Sequence, residues 1–146
     1  MTMRSRYLPL AVLLSLVAAC TTADVPASGH RVSASWARTA DSGTTGGVYV
    51  TIVNADSTAV DLTGASTPYA TATEVHESMM HDGMSHMMAR PSITIAGRDS
   101  LVMKPGGLHI MLLQLTRALV TTDSIPLTLR FSTGDSLVVR VPVQAP

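Results

Sequence analysis

Leu127-Thr128-Leu129-Arg130-Phe131-Ser132 alternates apolar and polar side chains residue by residue. A period of two puts Leu127, Leu129 and Phe131 on one face of a strand and Thr128, Arg130 and Ser132 on the other. One buried face and one wet face belong to an antiparallel sandwich sheet, because a parallel sheet is covered on both sides.

Working outward, apolar and β-branched runs recur over residues 32–38, 47–53, 59–64, 70–77, 88–95, 108–115, 125–131 and 137–143. Turn residues punctuate them, as in Asn54-Ala-Asp-Ser, Gly97-Arg-Asp-Ser, Pro105-Gly-Gly and Thr133-Gly-Asp-Ser. No segment carries a capped helical repeat. The expected fold is all-β, a Greek-key β-sandwich.

The chain has 146 residues, enough for one domain with a true core. Its start must first be set apart. Arg4 and Arg6 precede an apolar run from Leu8 to Ala18, and Val17-Ala18-Ala19 leads into Cys20: the charge, hydrophobic stretch and small-residue exit of a secretory signal. Val-Ala-Ala-Cys resembles the bacterial lipobox, which implies cleavage before Cys20, a diacylglycerol on its sulfur and an acylated new N-terminus. An ordinary secretory signal or a short membrane anchor is the alternative, although the apolar run falls short of the roughly 20 residues that span a bilayer. Thr21, not Asp, follows Cys20; by the lipoprotein sorting rule this favours the outer membrane if the host is Gram-negative.

Residues 1–19 therefore read as a lipoprotein signal, residues 20–31 as the lipidated cysteine and a polar tether, and residues 32–146 as the folded domain. His30 is assigned to the tether and Met103 to the core. Cys20 is the sole cysteine, so the mature domain has no disulfide and no thiolate for metal or nucleophilic chemistry. Loss of Arg4 and Arg6 leaves the mature chain slightly acidic, which argues against nucleic acid as a partner.

His76 to Met88 reads HESMMHDGMSHMM and holds three of the five histidines and five of the nine methionines. No period in this stretch would bury the methionines as core, and polar residues are interleaved among them. Thioethers are soft ligands and imidazoles intermediate, so a Met/His set selects copper, Cu(I) above all, over calcium and magnesium. Thioether sulfur needs no deprotonation and cannot be lost to a disulfide, which suits an exported site.

Gly106-Gly107-Leu108-His109-Ile110-Met111-Leu112 completes the constellation. On a strand His109 and Met111 share one face while Leu108, Ile110 and Leu112 share the other. His76, Met87, His109 and Met111 thus fall into the spacing H-x10-M-x21-H-x-M. This spacing resembles the periplasmic copper chaperone family written PCu(A)C. So do Trp36-Ala-Arg, Gly47-Val-Tyr-Val-Thr-Ile-Val-Asn54, Glu74-Val-His76-Glu77 and Lys104-Pro-Gly-Gly-Leu-His-Ile-Met-Leu, so that the resemblance spans about residues 32–144.

The resemblance implies a cupredoxin-like sandwich with a partly exposed Cu(I) site formed by His76, Met87, His109 and Met111. It also implies copper supply to a respiratory oxidase, especially its copper A centre, alongside a Sco-type thiol protein. Met79, Met80, His81, Met84, His86 and Met88 are additional, and are read as a hairpin loop between the first two ligands. They form either a second, looser copper site, with His81 and His86 able to take Cu(II), or a solvated loop. No catalytic motif is present, and a blue-copper centre would need a cysteine ligand within the domain. Delivery to an acceptor and simple copper buffering or resistance use the same ligands and stand as the two functional expectations.

Overall fold

A computed structural model describes residues 29–145 and contains ten strands and no helix among them. The strands are β1 (His30–Arg38), β2 (Gly46–Asn54), β3 (Val60–Ser66), β4 (Ala70–His81), β5 (Met84–Ala89), β6 (Ile93–Ile95), β7 (Ser100–Val102), β8 (Leu108–Leu115), β9 (Ser124–Phe131) and β10 (Ser136–Gln144). Cys20 and the signal and tether readings lie outside the described residues, apart from Gly29, His30 and Arg31. No helix of the described residues is long and apolar enough to cross a membrane.

The hydrogen-bonded order is β5-β4-β8-β2-β1-β10-β9-β3-β6, with β7 also on β2. Antiparallel pairing runs through β5-β4-β8-β2-β1 on one side and β10-β9-β3-β6 on the other. A short parallel contact, Ala37↔Val143 and Arg38↔Gln144, joins the two halves into a sandwich. The period of two decides what fills it. Val48, Val50 and Ile52 of β2, Ile110 and Leu112 of β8, and Leu127, Leu129 and Phe131 of β9 all point into one buried cluster. The alternation in β9 is therefore the alternation of core and solvent expected of it. This is an all-β, cupredoxin-like Greek-key β-sandwich.

Three local expectations need correction. Residues 88–95 are not one strand: β5 ends at Ala89 and β6 starts at Ile93, on opposite layers, because Pro91 lacks the N–H a ladder requires. His30 is not tether but the first residue of β1, only 3% exposed and packed at a tilt against Phe131, ring centroids 4.8 Å apart. The extra methionines and histidines are not in a loop. Met79, Met80 and His81 extend β4, and Met84, His86 and Met88 form β5, joined by a tight turn at Asp82 (φ 49°) and Gly83 (φ 76°). Two successive positive φ values make the turn whose twist matches a hairpin, and Asp-Gly supplies them readily. Met103 is core as expected, 4% exposed.

Candidate metal centre

The sandwich positions the site through register. In β4 and β8, Val75 and Ile110 pair and face the core, so their neighbours His76 and His109, also a register pair, face outward. Glu74 lies opposite Met111 in the same ladder. In the hairpin, Met87 lies opposite Ser78, on the face that carries His76. Met87 and Met111 are therefore each diagonal neighbours of His76, within reach of long side chains. The four residues at the H-x10-M-x21-H-x-M positions converge on one outer face.

Burial is graded across this group. His109 is 8% exposed, the His76 side chain 15%, Met111 is half-buried, and Met87 is 55% exposed. The imidazoles are thus held by the scaffold and one thioether stands at the solvent edge. Gly47 lies opposite Met111 in β2 and places no side chain beside it.

Hydrogen bonds orient both rings. A carboxylate can only accept, so the 2.7 Å contact between His76 Nε2 and Glu74 Oε2 is an Nε2–H donated to Glu74. This leaves Nδ1 as the lone-pair nitrogen of His76, and it is buried without a hydrogen-bond partner. His109 Nδ1 donates to the Gly107 carbonyl at 3.0 Å, which leaves its Nε2 as the lone pair. An orphaned buried ring nitrogen, backed by a carboxylate on the other nitrogen, is what a metal-binding histidine requires.

The same Gly107 carbonyl accepts the Ser78 amide at 3.1 Å, tying the base of the hairpin to the ring of His109. Its position is set by the turn before β8. Gly107 N–H donates to Lys104 O at 3.0 Å, with Pro105 and Gly106 between them and Gly106 at φ 77°. That is a type II turn, which takes proline at its first central position and needs glycine at its second.

Behind His109 the outer face continues as a ladder of rings. Trp36 and Tyr49 pair across β1 and β2 with centroids 4.4 Å apart, Tyr49 lies 6.3 Å from His109, and His109 lies 6.2 Å from His76. Glu74, Tyr49 and the Gly107 carbonyl are contributions that the ligand spacing did not single out. Glu74 could have been suspected, since two residues before His76 on a strand means the same face.

Among the described residues no group of three or more His, Cys, Asp and Glu side chains could hold a metal ion. What converges is two imidazoles and two thioethers, a set suited to a soft cation.

Comparison with known proteins agrees with this architecture. Residues 31–143 match the family model LpqE-like, "Putative lipoprotein LpqE-like". The chain belongs to the LpqE-like lipoprotein family. Membership agrees with an exported lipoprotein. The LpqE-like chain is also 34% identical over 130 residues to "Putative lipoprotein Lxx21020" of Leifsonia xyli subsp. xyli (strain CTCB07), covering 88% of this chain and 78% of that one.

Among solved structures, this LpqE-like domain is similar to Cu(I)-DR1885 from Deinococcus radiodurans, with 30% identity, TM-score 0.59, and 77% and 78% of the two chains covered. It shares its fold with the copper-bound PCuAC domain from PmoF2 at TM-score 0.68 and 19% identity, covering 81% and 94%. The resemblance to PCu(A)C proteins read from the motif thus extends to three-dimensional structure.

Proposed function

We propose that this lipoprotein is a Cu(I)-binding metallochaperone that carries copper as cargo on His76, Met87, His109 and Met111 and passes it to a membrane-associated acceptor. One observation carries the reading: the orphaned Nδ1 of His76 sits on the same outer face as His109, Met111 and Met87, with Glu74 holding the other ring nitrogen. Support comes also from the structural neighbour that was solved with Cu(I), DR1885. Two neutral imidazoles and two thioethers match the softness of Cu(I) and add no charge to it. An exposed Met87 offers the coordination position an acceptor can replace by ligand exchange.

The acceptor we favour is the copper A centre of a cytochrome oxidase, with a Sco-type protein as co-worker. The anchor is the acylated Cys20, in the outer membrane if the host is Gram-negative. The chain performs no catalysis in this reading, since the site holds no activated nucleophile and its histidines are committed to binding. A second reading, copper buffering or resistance without a dedicated acceptor, is favoured by the five exposed methionines of the β4-β5 hairpin.

The test is an anaerobic Cu(I) titration of the mature protein against a competing chelator, followed by mixing the loaded protein with a copper-free oxidase domain. A tight equivalent that His109→Ala/Met111→Ala abolishes, and that moves to the acceptor, is the expected result. Tight binding without transfer favours buffering, and tight binding unchanged in the double variant removes the four-residue site.

A further inference from the structure

β4 outlasts its partner. Its pairing with β8 ends at Glu77↔Leu108, whereas its pairing with β5 continues to His81↔Met84. The far part of the hairpin is thus a two-stranded ribbon that projects beyond the sandwich, with no third strand and no core beneath it. All of β5 is exposed.

A ribbon has two faces, and register sorts the ligands between them. Ser78 opposite Met87 and Met80 opposite Ser85 continue the face of His76. Met79 opposite His86, His81 opposite Met84, and Met88 opposite Glu77 occupy the reverse face. Backbone separates the two sets, so the reverse-face donors cannot join the ion held by His76 and His109.

The reverse face is a second collection of soft donors. Met79 and His86 are directly opposed, Met88 is diagonal to Met79, and His81 is diagonal to His86, all within the reach of such side chains. An open concavity of about 390 Å³ is lined by Met79, Met80, His81, His86 and Met88, four of them from this face. The one carboxylate at its base, Glu77, is already bound to Arg90 at 2.7 Å, so it supplies no hard ligand. His81 keeps only a solvent-exposed contact to Asp82, at 3.3 Å.

Burial in a core does not explain these methionines. Met79, Met84 and Met88 are 42%, 61% and 51% exposed. Outside the hairpin the exposed large apolar side chains of the described residues are three scattered valines. Solvent-exposed thioethers gathered with imidazoles on one face are costly to keep as apolar surface and useful as ligands.

We propose that the reverse face of the β4-β5 ribbon is a separate Cu(I) site, made by Met79, His81, His86 and Met88, that loads independently of the His76/His109 centre. Because every donor is exposed and the ribbon lacks a supporting layer, this site binds more weakly and exchanges faster than the scaffolded one. It holds a second ion within one short hairpin of the first, as a capture station facing solvent.

The experiment is an anaerobic Cu(I) titration of the mature protein, with methionine methyl resonances followed by NMR. Wild type is expected to take two equivalents, the first shifting Met87 and Met111 and the second shifting Met79 and Met88. Met79→Leu/His86→Gln/Met88→Leu should lose the weaker equivalent and keep the tight one, whereas His109→Ala/Met111→Ala should do the reverse. All substitutions of the triple variant are on exposed positions, and unchanged core resonances certify its fold. A triple variant that still takes two equivalents, or Met79 and Met88 methyls that never move, overturns the proposal. A single wild-type equivalent lost only in His109→Ala/Met111→Ala overturns it too and leaves the scaffolded site standing. A single equivalent lost only in the triple variant makes the ribbon the principal site and removes the scaffolded one.

Discussion

His76 and His109 stand directly opposite each other across β4 and β8, with ring centroids 6.2 Å apart and their lone-pair nitrogens set by different partners. Glu74 holds one ring and the Gly107 carbonyl holds the other. Only the first of these partners is a side chain. Replacing it by Glu74→Gln keeps the shape but weakens the acceptor that fixes the His76 tautomer. Affinity for Cu(I) should fall about 10–100-fold, the usual cost of losing such a partner, with all four sulfur and nitrogen donors still present. Chelator competition measures it, and an unchanged affinity would mean that Glu74 does not orient the ring.

Asn54 is 0% exposed, and its amide donates to Thr58 O at 2.8 Å, Ile95 O at 3.2 Å and Ala96 O at 3.1 Å, while its Oδ1 accepts from Asp56 N–H at 3.1 Å. One side chain therefore ties the end of β2 to the β3 and β6 layer. Asn54→Ala leaves buried carbonyls unpaired and should cost about 3 kcal/mol of stability. A denaturant midpoint equal to that of wild type would show that water replaces the amide at no cost.

The Asp123 carboxyl is held below its ordinary value of 3.8 chiefly by the Val120 backbone N–H, with desolvation opposing and the Arg117 guanidinium adding to the lowering. The two contacts are 3.0 Å and 2.8 Å. A depressed carboxyl favours the folded state when ionised. That stabilisation is full above pH 3.8 and disappears as pH falls through the lower, folded-state value. Asp123→Asn should therefore be less stable than wild type at neutral pH, and the gap should close in strong acid. Paired denaturation curves at pH 7 and below pH 3 check the sign.

Gly83 adopts φ 76° at the hairpin turn with nothing near its missing Cβ, so only backbone strain opposes a side chain there. Gly83→Ala should cost about 1 kcal/mol locally and reduce amide protection in the ribbon roughly fivefold. Because the ribbon has no core beneath it, the global unfolding midpoint should not move. Hydrogen exchange along β5 separates these two outcomes.

Much of the sandwich is legible because its strands are wet on one side. Leu127-Thr128-Leu129-Arg130-Phe131-Ser132 spells out β9, and Ile110 between His109 and Met111 spells out β8. β7 escaped notice because three residues make no periodic pattern. The ribbon reads as a loop in the sequence for a different reason. With both faces in water, its alternation is one of ligand position, not of apolarity, so hydropathy has nothing to report.

The converging set was legible as a spacing, but the choice among five methionines was not legible as geometry. Alternation along β4 puts Met80 with His76 and Met79 on the reverse face, but where Met84, Met87 and Met88 fall depends on how many residues make the turn. A turn longer or shorter by one residue would exchange the β5 side chains between the two faces. The two-residue Asp82-Gly83 turn decides this, and only with that register in hand does Met87 separate from Met84 and Met88.

The projecting ribbon has a consequence for how such a protein can change over generations. Side chains in β9 are answerable to a packed interior, where altering a single methyl group is felt. Those of β5 answer to none. Donor residues can be gained, lost or exchanged along it without a folding penalty, so the number and kind of ions carried can drift to suit the host's metal supply while the sandwich beneath stays as it is.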